Sequence, residues 1–325
     1  MGDIRIGISG WRYAPWRKVF YPAGLAQRLE LQYASSVFPT IEINGSFYSL
    51  QRPASYADWY ASTPPGFVFS LKGPRYITHI LRLRDIGPPL ANFFASGLFE
   101  LREKLGPILW QFPPSLRFDP ERFGAFLAAL PRDGDQALEL ARRHEPRMEG
   151  RNSLRALGAR PLRHAVEIRN DSFLVPEFPA LLRRHGVALV VADTAGKWPY
   201  EEDVTADFMY LRLHGDEELY ASGYSDQALE RWRARIAAWA AGTEPDDARR
   251  IGGRARRRPA AGRDIYCYFD NDVKVRAPFD ARTLALKLGL PVTPLPLAIP
   301  GLENRPRRAP SSPQAIASPS SPPPD

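Results

Sequence analysis

The sequence predicts an α/β protein: a (β/α)8 barrel of the TIM type with a degenerate sixth helix over residues 1–290, followed by a Pro/Ser-rich disordered tail over 291–325. Three observations carry this prediction. Thr40 to Tyr48 reads TIEINGSFY, in which Ile41 and Ile43 alternate with Thr40, Glu42 and Asn44. Strict alternation marks a strand with two unlike faces, and an inner carboxylate suits a closed barrel with a polar interior. Seven more strand-like segments follow or precede it, separated mostly by helical patterns, as consecutive parallel strands require. Several of them place charged groups near their carboxyl ends, where such a barrel assembles its site.

The first strand, Ile4 to Ser9, sends Ile4, Ile6 and Ile8 to one face and Arg5, Gly7 and Ser9 to the other. Gly10, Trp11 and an aromatic loop of Tyr13, Trp16, Phe20 and Tyr21 come next. Leu25, Leu29, Tyr33 and Val37, four apart, predict the first helix. After the Thr40 strand stand a short helix, Pro53 to Ser62, and a third strand, Phe67 to Lys72, with Val68, Ser70 and Lys72 inward. A loop through Arg75, Thr78 and His79 leads to a helix within Pro89 to Lys104, then to a fourth strand, Ile108 to Phe112, carrying Gln111. Asp119 and Pro120 form a cap and first turn, and Phe123, Phe126, Leu127 and Leu130 give that helix its apolar stripe. Arg132 to Arg163 is long and mostly polar, an extension of the fourth crossover.

In the fifth strand, Ala165 to Arg169, Val166 and Ile168 oppose Glu167 and Arg169. Pro176 to His185 is a helix ended by Gly186, and Ala188 to Asp193 is an apolar strand with an acid at its end. Thr194 to Asp207 is too short for a full crossover helix, so the sixth helix is missing or a single turn. Phe208 to His214 turns Tyr210, Arg212 and His214 inward; Leu229, Trp232, Ile236 and Trp239 mark the seventh helix. Ile265 to Phe269 is the eighth strand, and Asp280 caps a last helix closed by Gly289. Beyond Leu290, eleven of the 33 prolines fall in 35 residues, a composition that cannot build a core.

With 325 residues, 44% hydrophobic, the chain can bury a large core as one main domain. The single cysteine, Cys267, has no partner for an internal disulfide and points to a reducing compartment, the cytoplasm. No secretory leader pattern and no membrane-spanning apolar run is present, so no membrane role is expected. The formal charge of +8 is unevenly placed: residues 242–263 hold seven arginines against three acids, a local +4. With interspersed glycine and proline, that stretch reads as a mobile, solvated loop, or as an arm for an anionic partner.

Inward positions gather Arg5, Ser9, Glu42, Asn44, Ser70, Lys72, Gln111, Glu167, Arg169, Arg212 and His214, with Asp193 at a strand end. Buried charge is costly, so these groups must neutralise one another, hold water or await a ligand. Four cations (Arg5, Lys72, Arg169, Arg212) against three carboxylates (Glu42, Glu167, Asp193) favour a small anionic ligand gripped by guanidinium forks. Glu42 and Glu167 are candidates for an acid and base pair, and His214 stands at a strand end beside them. Lys72 suits a phosphate anchor, or a Schiff-base amine if nearby cations lower its pKa. Trp11, Asn44, Tyr48, Gln111, Arg169, Asp193 and Arg212 are the candidate substrate contacts, the aromatics able to stack on a sugar or base. For each of these the bland alternative is a salt-linked barrel floor without a catalytic role. Of five histidines only His214 sits at a strand end, so a metal centre of clustered imidazoles lacks its ligands, and no nucleotide-binding glycine motif calls for a cofactor.

IGISGW, EINGSFY, KGPRYITHILRL, ILWQFPPSL, AVEIRNDSF, YLRLHG and YFDND, in this order, resemble the DUF72 or YecE-like family of α/β barrels. The likeness runs from about Ile4 to Leu288 and leaves the arginine-rich stretch and the tail outside it. Family members are similar at Trp11, Glu42, Lys72, His79, Gln111, Glu167, Arg169, His214 and Asn271, which adds Asn271 to the candidate contacts. Where many members show two asparagines after the eighth strand, this chain has Asp270 and Asn271, so Asp270 adds a negative charge at the rim. The family has no established reaction; the resemblance implies the fold and leaves the activity open.

The leading expectation is a metal-independent enzyme, hydrolase-like or lyase-like, acting on a phosphorylated or otherwise anionic substrate at the C-terminal face. Two other classes share these features. One is a nucleic-acid-binding module built on the basic stretch and the rim aromatics, with salt-sensitive affinity. The other is a scaffold barrel that binds a partner without catalysis. Nothing in the sequence points to an oligomeric state.

Overall fold

The computed structural model describes residues 1–216, 222–251, 262–271 and 274–295. Eight parallel strands close on one another in chain order: β1 (Ile4–Ser9), β2 (Thr40–Ile43), β3 (Val68–Lys72), β4 (Leu105–Gln111), β5 (His164–Glu167), β6 (Ala188–Asp193), β7 (Phe208–Leu213) and β8 (Asp264–Phe269). β1 pairs with both β2 and β8, which seals the cylinder and leaves no sheet edge. The (β/α)8 fold expected from the alternating strands is the one observed.

Outward side chains such as Ile41, Ile43, Val166 and Leu211 join the core between barrel and helices. The cylinder itself is filled by a separate cluster of small and aromatic residues. Ala165 on β5 and Ala188 and Ala192 on β6 leave room for the rings of Tyr210 on β7 and Tyr268 on β8, whose centroids lie 5.2 Å apart. Their hydroxyls need buried partners and find them: Tyr210 OH donates to Glu42 Oε2 at 2.6 Å, and Tyr268 OH lies 2.8 Å from Thr40 Oγ1. A hydroxyl-lined interior is what lets Glu42 sit there fully buried.

The helices follow the sequence with local differences. The first is shorter than its stripe suggests: Gln27–Leu29 forms a 3-10 turn, and α1 spans Glu30–Val37. A single turn, α2 (Gly45–Tyr48), precedes α3 (Pro53–Ala61). The helix expected within Pro89 to Lys104 is two pieces, α4 (Gly87–Ala95) and a 3-10 segment, Leu98–Lys104, broken at Gly97. Gly97 has φ +102°, and a Cβ there would stand 2.5 Å from Pro53 Cα, so the break lets this loop pack against α3. α5 (Pro120–Ala129) is capped as expected, Arg122 N donating to Asp119 Oδ1 at 3.0 Å.

The polar extension of the fourth crossover holds a helix of its own, α6 (Gly134–Ala141), capped by Asp133. α7 (Glu177–His185) ends at Gly186 with φ +64°, and no helix separates β6 from β7. α8 (Asp226–Ala240) buries Leu229, Trp232, Ile236 and Trp239, and α9 (Ala277–Lys287) packs on α8, β1 and β8. Asp280 is not the cap of α9. It lies a turn inside, its Oδ2 accepting from Tyr224 N at 3.1 Å and Asn271 Nδ2 at 2.8 Å.

The described parts of the arginine-rich stretch, residues 242–251 and 262–263, make specific contacts with the barrel. Glu201, Glu202 and Asp203, all buried, hold its first part: Ile251 N donates to Asp203 Oδ2 at 2.7 Å, Arg249 N to Glu202 Oε2 at 2.9 Å, and Arg249 Nε to Glu201 Oε1 at 3.1 Å. Arg250 pairs with Glu244 at 2.9 Å, and Arg263, buried, donates to Thr243 O at 2.9 Å. Arg254, Arg256, Arg257 and Arg258 lie outside the described residues, as do 296–325, most of the tail read as disordered.

Candidate active site

The C-terminal mouth is organised around Arg212 of β7, which is fully buried. Its guanidinium donates from Nε to Glu42 Oε2 at 3.1 Å and from Nη2 to Glu42 Oε1 at 3.0 Å. It also donates from Nη1 to Glu167 Oε2 at 2.8 Å and from Nη2 to Asp270 Oδ2 at 2.6 Å. One cation thus serves three carboxylates, in the fork geometry that guanidinium suits. Ser9 Oγ gives Glu42 a further bond at 2.6 Å; Gln111 Nε2 and Arg169 Nε each reach Glu167 Oε1 at 2.9 Å. Burial acts to raise Glu167 and Asp270, but Arg212 outweighs it, with Arg169 helping at Glu167 and His214 at Asp270, and both carboxyls sit well below the usual range.

His214 is tucked against the same hub, Nε2 3.3 Å from Arg212 Nη1 and Nδ1 3.1 Å from Asp270 Oδ2. Burial, then Arg212, lowers its pKa, so the ring is neutral. A guanidinium can only donate, which assigns the imidazole proton to Nδ1, facing Asp270. Glu42, Glu167, Arg212 and His214 therefore converge as expected, but as a buried floor and not as cavity lining. All three nitrogens of Arg212 are taken up by this floor, so it is no fork for a ligand. The two glutamates hold Arg212 from different strands, and neither lines the cavity.

Lys72 stands apart. At the end of β3, its carbonyl accepts from Ser46 Oγ at 2.7 Å, and a Cβ on the next residue, Gly73, would run into the Trp110 indole, so the strand end is fixed. The ammonium lies 5.3 Å from the Phe47 ring centroid and 4.0 Å from Glu42 Oε1, and it makes no hydrogen bond among the described residues. Burial lowers its pKa and Arg212 lowers it further, against Glu42, Asp270 and Glu167.

Above the floor opens a cavity of about 890 Å³. Of the expected contacts, Trp11, Asn44, Tyr48, Lys72, Gln111 and Arg169 line it. Trp59, in edge contact with Trp11 at 5.5 Å, and Tyr13 extend its aromatic wall. Its charged lining is Arg12, Lys72, Arg75 and Arg169 against one carboxylate, Asp270. Arg169 grips Glu167 at 2.8 Å and lies 3.7 Å over the Trp198 ring, whereas Arg12 and Arg75, both exposed, have no ion-pair partner among the described residues. His79 joins the wall from a single π-helical turn, Tyr76–Ile80, with Nδ1 2.8 Å from Thr78 Oγ1. Burial, then Arg169, Arg75 and Lys72, pull its pKa down to about 4, so it too is neutral.

A model of the family described as "Protein of unknown function DUF72" matches residues 5–304. The chain belongs to the DUF72 family. The match is wider than the motifs alone suggested, taking in the arginine-rich stretch and the start of the tail. UPF0759 protein YunF of Bacillus subtilis is 32% identical over 116 residues, 34% of this chain, which spans 40% of that relative's length. A DUF72 family protein from Thermotoga maritima superposes with a TM-score of 0.64 at 24% identity, covering 88% of this chain and 99% of that one. One from Enterococcus faecalis gives 0.60 at 16%, covering 91% and 100%. At these identities the two structures bear on the fold alone.

Besides Arg212, two candidate contacts of this DUF72 barrel, Asp193 and Asn271, lie outside the cavity. Ala188, Val190 and Ala192 fill the interior, so the next residue but one in phase is not Asp193, which faces outward and accepts from Tyr224 OH at 3.0 Å. Asn271 donates to Asp280 and to Ser222 O, bracing the chain after β8 against α9. Arg5 lies at the opposite end of the barrel, bonded to Gly66 O at 3.2 Å. Arg12 and Arg75 were not among the candidates because loop arginines carry no periodic signal; their nearness in sequence to Trp11 and Lys72 was the only cue.

Proposed function

We propose that this DUF72 protein is a metal-independent enzyme, hydrolase-like or lyase-like, that takes a small anionic substrate, in the first place a phosphorylated one, in the cavity at the C-terminal mouth. The observation that carries the proposal is the charge of the lining. In the floor, three cations (Lys72, Arg169, Arg212) balance three carboxylates (Glu42, Glu167, Asp270). The surplus is supplied by Arg12 and Arg75, whose guanidinium groups stand at the cavity with their donors available. The aromatic wall would hold an apolar ring or a sugar face beside the anion. The titratable side chains of the lining other than arginine and tyrosine, Lys72, His79 and Asp270, are the reacting groups of this reading. The buried glutamates and His214 then act by fixing the field at Lys72, not by touching substrate. A reducing, cytoplasmic setting fits the one buried thiol, Cys267.

Calorimetric titration with inorganic phosphate and with a small sugar phosphate tests this. Each should bind saturably, and Arg12→Ala with Arg75→Ala should weaken binding by about tenfold or more, the equivalent of roughly one charge-assisted hydrogen bond. Equal affinity for a sugar phosphate and its neutral sugar would defeat the proposal. The nucleic-acid reading is less well supported, since Arg249, Arg250 and Arg263 are engaged within the chain. Salt-sensitive DNA or RNA binding that depends on Arg254 to Arg258 would restore it.

A further inference from the structure

We propose that Lys72 forms an iminium bond with a carbonyl carbon of the substrate, which makes that substrate a small carbonyl compound bearing a phosphate or carboxylate. This rests on the reading of the cavity as an anion site and adds the reaction class to it.

The first support is compositional. The chain has 38 arginines and six lysines, and it uses arginine at nearly every ion pair, the floor included. A guanidinium would serve as well as an anchor for an anion, and better as a fork. What an arginine cannot do is lose its proton and attack a carbon.

The second is a contrast within the molecule. Lys72 and Lys104 are the buried lysines among the described residues. Lys104 is satisfied as a structural ammonium, donating to Tyr60 O and Thr63 O, both at 2.7 Å, and to Thr63 Oγ1 at 3.0 Å. Lys72 has no such acceptors among the described residues. Its amine is presented to the cavity on a strand end held by Ser46 and Trp110, with a carboxylate no nearer than 4.0 Å. Burial, and then Arg212 behind it, lower the amine's pKa, the direction that favours a nucleophilic lysine.

The third is what surrounds the product. In the overall step, Lys72 –NH3⁺ and C=O become Lys72 –NH⁺=C and one water. The nitrogen lone pair forms the new bond to carbon, the carbonyl oxygen leaves with two of the three ammonium protons, and the third stays on nitrogen. The positive charge is conserved at the same atom, where Glu42, Glu167 and Asp270 already face it. The iminium withdraws electrons from the adjacent carbon, as a lyase-type bond cleavage requires. Neutral His79 lines the same cavity and is the base this proposal assigns to take a proton from that carbon. Arg12 and Arg75 hold the anionic end.

The test uses the full chain with dihydroxyacetone phosphate and, in parallel, uncharged dihydroxyacetone, each with cyanoborohydride to reduce any iminium to a stable amine, followed by peptide mapping. The adduct is expected at Lys72 ahead of the five other lysines. The phosphorylated probe should label about tenfold faster or more, an advantage that Arg12→Ala with Arg75→Ala removes. Calorimetry with inorganic phosphate separates the two readings. Phosphate binding with no adduct at Lys72, or labelling no faster there than at exposed Lys18, overturns the iminium and leaves the anion site standing. Lys72 labelled equally by both probes, with no phosphate binding, overturns the anionic substrate.

Discussion

Replacing Arg212 by methionine should be among the most damaging single changes available to this barrel. The substitution removes four charge-assisted hydrogen bonds, two to Glu42 and one each to Glu167 and Asp270, and leaves those carboxylates in the interior. Glu167 keeps Gln111 and Arg169, and Glu42 keeps Ser9 and Tyr210, so the loss is smaller than four independent bonds. Removing one partner of a buried pair costs ~3–5 kcal/mol, and a hub shared by three carboxylates belongs at the top of that range. Against a typical domain stability of about 5–15 kcal/mol this leaves a marginal fold. A melting-temperature loss of roughly 5–8 °C follows from the usual unfolding entropy per residue for a barrel of about 290 residues.

The sign of the pH dependence is a second, independent check on the same variant. In the native protein Glu167 and Asp270 are held below their unfolded values. Their stabilisation is therefore complete above those values and is lost only as pH falls through the depressed native ones, far below pH 5. In the variant, burial acts without the hub and raises the same carboxyls, so the deficit is largest at pH 8 and is relieved as pH falls and they protonate. Urea denaturation of both proteins at pH 8 and pH 5 should show the gap narrowing. A deficit below about 1 kcal/mol at pH 8, or one that widens towards pH 5, would refute the assignment of Arg212 as a structural hub.

Three further outcomes follow from the same geometry. Reductive labelling of Lys72 should rise with pH and level off before Lys18 or Lys197 react appreciably. The charged groups facing it are Glu42, Glu167 and Asp270 on one side of the balance and Arg212 on the other, with Arg169 and Arg75 beyond, and burial with Arg212 prevails; a profile in step with Lys18 would contradict that. Asp203→Ala should release the segment ending at Ile251 and speed tryptic cleavage after Arg249 and Arg250, because Asp203 anchors both Ile251 N and Arg183; unchanged digestion would show that the tether is dispensable. Asp193→Asn should cost about 1 kcal/mol through its weakened bond to Tyr224 and change phosphate affinity less than twofold; a large loss of affinity would place Asp193 at the site after all.

The barrel was legible because its strands alternate and its helices carry spaced apolar residues, two periods set by backbone geometry alone. Inward facing was equally readable on β2, β3, β5 and β7, where Glu42, Lys72, Glu167 and Arg212 stand opposite aliphatic neighbours. β6 offered no such reading. Its ALVVAD run is apolar on both faces, so Asp193 looked like another acid at a strand end. Helix α6 left a signal that went unused, Asp133 three residues before Gln136, the pattern of a reciprocal cap; Gln136 N donates to Asp133 Oδ1 at 2.8 Å. Which charges neutralise which was beyond the sequence, because it depends on where four strand ends meet in space. The sequence reading drew its cation surplus from four inward positions, Arg5, Lys72, Arg169 and Arg212, whereas at the cavity the additional cations stand on loops, at Arg12 and Arg75.

The sharing of one guanidinium also constrains how this chain can be divided. Cut between β4 and β5, it would yield one piece holding Glu42 and Lys72 and another holding Glu167, Arg212 and Asp270. The first piece would keep Glu42 without the guanidinium that donates to both its oxygens, with Lys72 4.0 Å away, and neither piece could shut its own interior. With Arg169 in the second, the floor of each piece would be neutral in count yet short of its hydrogen bonds, so half-built barrels are penalised during folding by unmet donors and acceptors more than by net charge.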